Sequence, residues 1–368
     1  PLLLWWRMLD SNNEPVYDQR RTCLMKLGIV GLSGSGKSTV FEALTHQLSD
    51  QPHKKESRIG TVHVPDDRID RLRKLYQPKK TIHAQVEYYL PGTGGSVQEA
   101  KKEQSIWTQA RDCQALIHVI RNFKAFGQEP ATPLKDFQRL DQELILIDLV
   151  VVEKRLERLQ LDSKRGKNPD PLEISLLKDC LECLEKEIPL RKVPDIARSP
   201  LLRGYAFLSA KPMLTLFNNA DEDDQLPHIG DLTDHESCLV IRGKLEQELA
   251  QMTDEEAREF LTEFNIKASA MDRVIHRSYE LLGLLSFFTV GEDEVRAWTI
   301  PRKTPADDAA GVIHTDMKKG FIRSEVVAYK DLMAAGSYAE ARKQGTVRLE
   351  GKTYAVQDGD IMEIRFNV

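Results

Sequence analysis

Residues Gly31-Leu32-Ser33-Gly34-Ser35-Gly36-Lys37-Ser38-Thr39 constrain this chain more than any other stretch, because they fit the phosphate-loop spacing G-x-x-x-x-G-K-[ST]. Leu27-Gly28-Ile29-Val30 before them is an apolar run suited to a buried parallel strand, and Val40-Phe41-Glu42-Ala43-Leu44 after them opens a helix. Strand, loop and helix in that order give the pattern its mechanism. Gly31, Gly34 and Gly36 let backbone N–H groups from Gly34 through Ser35 to Thr39 close around a phosphate chain. The helix N-terminus adds partial positive charge. On this reading Lys37 reaches the outer phosphates and the Ser38 hydroxyl is a ligand of Mg²⁺. The plain alternative, a Gly/Ser-rich turn without a ligand, leaves the flanking elements unexplained. The stretch predicts binding of a nucleoside triphosphate.

At 368 residues the chain is too long for one small core, which predicts two or three domains. A hydrophobic content of 41% and a charged content of 30% describe a globular protein with a charged surface. The formal net charge of −5 excludes a global basic field and leaves only local patches for nucleic acid. Cys23, Cys113, Cys180, Cys183 and Cys238 are scattered, as expected of reduced thiols, and point to a cytoplasmic protein. Cys180 and Cys183 stand three apart without a second pair, inside a helical pattern, and read as a packed helix face rather than a metal or redox pair. No apolar run approaches the ~20 residues that span a bilayer, so no membrane association is expected. Leu2-Leu3-Leu4-Trp5-Trp6 is too short for a signal peptide and lacks a basic start. Residues 1–24 read as an N-terminal extension; a flexible tail, an extension from an upstream start and a docking segment are all open.

Beyond the first helix, Thr61–Val64 reads as a strand and Asp66–Tyr76 as a helix with Ile69, Leu72 and Leu75 on one face. His83–Leu90 reads as a strand, Pro91–Gly95 as a loop, Gln98–Asp112 as a helix and Ala115–Ile120 as a buried strand. Such alternation predicts a mostly parallel sheet covered by helices. Phe137, Leu140, Leu144, Ile147 and Val151 then recur at intervals of three and four, as do Ile174, Leu177, Leu181, Leu184 and Ile188 after a turn at Gly166–Pro171. Two such helices make an antiparallel coiled-coil hairpin. A pair of core helices is the alternative, and the charged remainder favours projection. The sheet pattern resumes at Tyr205–Leu208 and Met213–Phe217, which makes the hairpin an insertion. Asp254–Phe264 and Met271–Leu282 read as helices, and Val295–Ile300 and Ile361–Phe366 as strands of a small α+β unit beginning near Leu284. The expected division is residues 25–125 and 205–283 for nucleotide binding, 126–204 for the hairpin and 284–368 for the last unit.

This order, with the segments Ala309–Asp316, Gly320–Val326 and Val356–Val368, resembles the YchF/Obg-like ATPase family. Tyr279–Leu284 and Glu294–Trp298 are similar to it as well, and the resemblance runs from Met25 onward. It implies an α/β P-loop NTPase domain of the TRAFAC class, an inserted α-helical coiled-coil hairpin, and a C-terminal α+β β-grasp domain of TGS type. It further implies ribosome association and, in many members, a preference for ATP over GTP.

The chain also departs from the family. Gly34-Ser35 stands where Asn-Val is usual, which keeps the phosphate cradle. The segment before Val62 is shortened to Ser57-Arg58-Ile59-Gly60, without the family's Thr, and Tyr89-Leu90-Pro91-Gly92 occupies the place of its Asp-x-x-Gly motif. Ser38 would then be the main protein contact to Mg²⁺, and slow turnover is expected, since positioning and charge stabilisation carry phosphoryl transfer. His118 matches a histidine proposed in bacterial relatives to assist hydrolysis, although a His within an apolar strand is more often packed than catalytic. Asn218-Asn219-Ala220-Asp221 occupies the base-reading position: Asn218 and Asp221 are the candidates, and Asn219 replaces the Lys that stacks over guanine in GTP-specific relatives. An acidic surface loop continuing through Glu222-Asp223-Asp224 is the alternative. Arg242-Gly243-Lys244 stands at the later Ser-Ala-Lys motif, and the choice between ATP and GTP tilts slightly to ATP on family grounds.

The leading expectation is a weakly hydrolysing nucleotide-binding switch protein that meets the ribosome or RNA through the hairpin tip and the TGS-like unit. Lys164-Arg165-Gly166-Lys167 at the tip, or Lys318, Lys319 and Arg323, supply basic contacts, although the tip reads equally as a solvated turn. A degenerate relative that binds nucleotide as a regulatory module is the second reading. A small-molecule P-loop kinase is the third, and it explains neither the hairpin nor the last unit.

Overall fold

The computed structural model describes residues 25–47, 56–92, 106–124, 127, 129–230, 237–263 and 269–367. The expected extension over 1–24, the end of the Pro91–Gly95 loop and the first part of the Gln98–Asp112 helix lie outside the described residues.

The apolar runs become the middle of a six-stranded sheet. Its strands are β1 (Lys26–Val30), β2 (Arg58–His63), β4 (Gln85–Leu90), β5 (Ala115–Asn122), β6 (Met213–Asn219) and β7 (Ser237–Ile241), in the order β2-β4-β1-β5-β6-β7. All pairings are parallel except β2 with β4. Parallel strands covered on both faces need continuous apolar sequence, and every residue of β6 is buried. One face carries α1 (Lys37–Thr45), α2 (Asp67–Tyr76) and, after α5 (Gly243–Leu249) and α6 (Asp254–Glu263), α7 (Ala270–Leu281). On the other face the first turns of α3 (Pro133–Lys164) lay Phe137, Leu140 and Leu144 onto Leu116, Ile120 and Phe217.

The outer half of α3 pairs with α4 (Pro171–Glu185). Val152, Leu156 and Leu159 meet Leu177, Cys180 and Leu184 in a separate apolar cluster, with Gly166 at φ 81° in the turn. Cys180 and Cys183 are free thiols, buried and half-buried on α4, as a packed face requires. Among the described residues no helix is long and apolar enough to cross a membrane.

A second sheet runs β11-β10-β12-β8-β9-β3. Five of its strands, β8 (Leu284–Val290), β9 (Glu294–Pro301), β10 (Phe321–Ala328), β11 (Arg348–Glu350) and β12 (Asp360–Phe366), come from the last part of the chain, with α8 (Ala306–Ile313) against them. The sixth, β3 (Lys80–Ile82), comes from between α2 and β4 and pairs in parallel with β9. The two sheets share one apolar cluster, in which Ile69 and Leu72 of α2 lie with Phe288, Val295 and Ile361.

Three local expectations change. His83 and Ala84 are not in a strand: β4 begins at Gln85, and the residues before them serve the other sheet. β2 starts earlier than Thr61, because Arg58 to Gly60 pair with Leu90 to Tyr88. Tyr205–Leu208 is not a strand. Tyr205 ends a 3₁₀ turn, Ala206 is left-handed at φ 48°, and the N–H groups of Leu208 and Ser209 donate to the buried Asp148 carboxylate instead of a ladder.

Candidate functional site

The loop between β1 and α1 is built from backbone that side chains would block. A Cβ on Gly31 (φ 150°) would stand 2.4 Å from the Val119 carbonyl oxygen, and one on Gly36 (φ 96°) 2.2 Å from Asn218 Nδ2. Gly36 is the N-cap of α1 and supplies no side-chain acceptor, so the first N–H groups of the helix, on Lys37, Ser38 and Thr39, point into the loop. Lys37 crosses the loop mouth and donates from Nζ to the Gly31 and Leu32 carbonyls at 2.8 and 2.7 Å. Burial lowers its ammonium from 10.5 to about 8. Ser35 is buried with its hydroxyl unpartnered, whereas Ser38 is exposed and Thr39 half-buried. A cationic amine, oriented N–H groups and a hydroxyl at one helix start form an anion cradle.

Asn218 joins this cradle to the far edge of the sheet. At the end of β6, its Nδ2 donates to the Ser35 carbonyl at 3.1 Å and its Oδ1 accepts from the Gly243 N–H at 2.9 Å. Asp221 lies beside the start of α5, its carboxylate accepting from the Leu245 N–H at 3.3 Å. Asn219 is buried away from them, donating to the Gln225 carbonyl and accepting from the Asn122 amide. The structure therefore brings the phosphate loop, Asn218 and the Arg242–Lys244 segment together, with Asp221 at their margin.

His118 makes no hydrogen bond to this cradle. On β5 between Val30 and Thr215, it is 1% exposed, its ring lies 5.6 Å from Phe137, and neither ring nitrogen has a hydrogen-bond partner. Burial, helped by the positive charges of Arg191 and Lys37, pushes its pKa down to about 3.

Of the hydroxyls among the described residues of the loop, Ser38, exposed at the start of α1, is the one the phosphate-loop pattern offers to Mg²⁺. Glu42, one turn past Ser38 on α1, is paired with Arg58 at 2.8 Å and accepts from Gln247, and Tyr89 lies against Lys26 and Gln109. Among the described residues no three His, Cys, Asp or Glu side chains are placed to hold a metal.

Sequence reasoning passed over two groups that hold the surroundings of the cradle. Arg58 ties β2 to α1 through Glu42 and lies 4.7 Å from the Phe41 ring centroid. Arg111 donates to the Tyr205 and Ala206 carbonyls and lies 3.6 Å from Asp148 of α3. The signal for the second was available: Asp148, like Asp141 two turns before it, is a charge at a core-facing position of a largely apolar helix stripe.

Comparison with known proteins extends this geometry to the whole chain. Residues 284–367 match the family model YchF-GTPase_C, described as a protein of unknown function (DUF933). The "Ribosome-binding ATPase YchF" of Bacillus subtilis (strain 168) is 37% identical over 366 residues, covering 93% of this chain and 99% of the relative. The protein of the same name from Pasteurella multocida (strain Pm70) is 36% identical over 365 residues, with the same coverage. Among solved structures, the Schizosaccharomyces pombe YchF GTPase superposes with a TM-score of 0.79 at 28% identity, over 93% of this chain and 97% of that one. With its β1–α1 phosphate loop, inserted helical hairpin and second sheet, the chain belongs to the YchF family.

Proposed function

We propose that this chain binds a nucleoside triphosphate, associates with the ribosome, and turns its nucleotide over slowly. One observation carries the binding: Lys37 and the α1 N–H groups converge on one loop whose glycines leave room for phosphate. On binding, the Lys37 ammonium exchanges two carbonyl partners for phosphate oxygens, and residues 34–39 supply backbone N–H donors. Ser38 would hold Mg²⁺, whose chemistry when bound is to neutralise phosphate charge. Asn218 and Asp221 border the base. Asp221 keeps acceptor positions for guanine while Asn219 supplies no Lys stem to cover it, and the tilt to ATP over GTP rests on the family resemblance.

Slow turnover follows from what surrounds the cradle. A general base must come within hydrogen-bond reach of the attacking water, and His118 is closed off beneath Phe137 in its neutral form. Tyr89 offers no carboxylate. These same residues support the second reading, a nucleotide-dependent regulatory module that does not use hydrolysis.

Ribosome association rests on relatives that bear that name along nearly their whole length. For the contact we favour the hairpin tip. Lys167 is paired with Asp162 at 2.9 Å, but Lys164 and Arg165 have no ion pair among the described residues. On the short helix Thr315–Lys319 beside the second sheet, Lys318 and Lys319 are paired with Asp308 and Asp316.

The deciding experiment is titration calorimetry with ATP and GTP, beside Lys37→Ala. Micromolar binding that disappears in the variant supports the reading, and silence with both nucleotides rejects it. Co-sedimentation with ribosomes across a salt series, with Lys164→Glu and Arg165→Glu together, tests the tip. Weaker and less salt-sensitive binding is expected, and an unchanged salt series removes that contact.

A further inference from the structure

Asn218 is held between two glycines. A Cβ on Gly36 would stand 2.2 Å from its Nδ2, and one on Gly243 2.7 Å from its Oδ1, so the phosphate loop and the start of α5 close on the same amide. The first turn of α5 also presents the Leu245 N–H to the Asp221 carboxylate. Where α5 lies therefore sets where both base-side residues stand. A second tie fixes α5 to α1 farther along the two helices. Gln247 of α5 donates from Nε2 to Glu42 Oε2, and the other oxygen of that carboxylate, Oε1, accepts from Arg58 at 2.8 Å. Glu42 is only 9% exposed, and a carboxylate this deep is tolerated because both of its oxygens are bonded. Two helices joined at one point can pivot about it. A second link, offset along their axes, removes that freedom.

We propose that Glu42 is a positioning residue: through Gln247 it locks α5 to the phosphate-loop helix, so that the parts that hold the base and the parts that hold the phosphates keep a fixed separation. The inference rests on the nucleotide-binding reading above. The Glu42 carboxylate is taken up by Arg58 and Gln247 and acts on the nucleotide only through α5. Lys37 and the backbone of residues 34–39 belong to α1 and its loop and hold phosphate without this tie. Asp221 depends on where α5 lies, and Asn218 is shared between α5 and the loop. The tie therefore contributes to affinity for a whole nucleotide and not to affinity for a bare phosphate chain.

The test is calorimetric titration of ATP, GTP and inorganic tripolyphosphate, each with excess MgCl₂, into the full-length protein and into Gln247→Ala. That variant removes the tie and leaves the Glu42–Arg58 pair intact, so the carboxylate keeps its counter-charge. The native chain should bind its preferred nucleotide more tightly than tripolyphosphate. In Gln247→Ala that advantage should shrink about fivefold or more, with tripolyphosphate affinity unchanged within about twofold. Glu42→Ala combined with Arg58→Ala removes the carboxylate together with its partner charge and should shrink the advantage equally. An unchanged advantage in Gln247→Ala overturns the proposal, and so does an equal loss for all three ligands, which a purely structural tie would give. An advantage kept by the Glu42→Ala, Arg58→Ala protein overturns the assignment to Glu42. Equal native affinities for nucleotide and tripolyphosphate overturn the proposal while leaving phosphate binding in place. No binding of any of the three rejects the nucleotide-binding reading, and the inference with it.

Discussion

Lys37 is the residue whose chemistry can be followed most directly. Its ammonium, lowered from 10.5 to about 8 by burial, carries its proton at neutral pH and loses it through a range easily reached in solution. Between about 8 and 10.5 the unfolded chain holds this proton and the folded chain does not. The Lys37 contribution to folding stability therefore rises with pH across that window. Phosphate binding has the opposite sign. Below about pH 8 the charge is already in place and affinity is level; above it, binding must take up a proton, and affinity should fall by up to about tenfold per unit. Calorimetry from about pH 7 to about pH 9.5 measures this directly, and a flat profile would remove Lys37 as a phosphate ligand. The phosphate loop was legible in the sequence because all its parts are local: glycines, lysine and helix start lie within nine residues. Asn218 was legible only as a residue near the base. Its bonds to Ser35 and Gly243 join segments distant in the chain, which no local pattern encodes.

At the scale of elements, the joint between the hairpin and the nucleotide-binding sheet turns on Asp148. This fully buried carboxylate of α3 accepts from the Leu208 and Ser209 N–H groups at 3.0 and 2.6 Å and faces Arg111 at 3.6 Å. Burial pushes its pKa up, against the pull of those donors. Asp148→Ala would leave two buried N–H groups without their acceptor and the Arg111 guanidinium without its counter-charge, at a cost of about 2–4 kcal/mol. Urea denaturation should show that loss, with hydrogen exchange rising first across residues 205–211. Exchange unchanged there would mean that the segment is held by packing alone. The same carboxylate explains why Tyr205–Leu208 read as a strand and is not one: its apolar residues are buried, but its backbone donors go to a side chain. The two hairpin helices were legible from their three–four spacing. That α3 belongs half to the sheet layer and half to the hairpin was not, since one stripe of apolar residues serves both partners.

Across the whole molecule the two sheets are not independent bodies. Val64, Ile69 and Leu72 lie in one apolar cluster with Phe288, Val295, Leu332 and Ile361, and Arg68 of α2 reaches Asp358 at 2.7 Å. A chain truncated after Gly283 would expose this cluster and leave β3 without a partner. It is expected to lose cooperative unfolding in calorimetry and to bind a dye that reports exposed apolar surface. A truncated form that melts as sharply as the full chain would show that the first sheet closes its core unaided. The division near Leu284 was read from a change of pattern along the chain, where β8 spans Leu284–Val290. The contribution of Lys80–Ile82 to the second sheet was invisible, because three residues carry no periodicity and their partner lies at Glu294–Pro301. That pairing also sets a schedule for synthesis. Leaving a ribosome from its N-terminus, the chain presents β3 long before β9 exists, and at ordinary elongation rates the wait is about 10–40 s. For that interval an edge meant for the last sheet is open while β5, β6 and β7 of the nucleotide-binding sheet are themselves still being made.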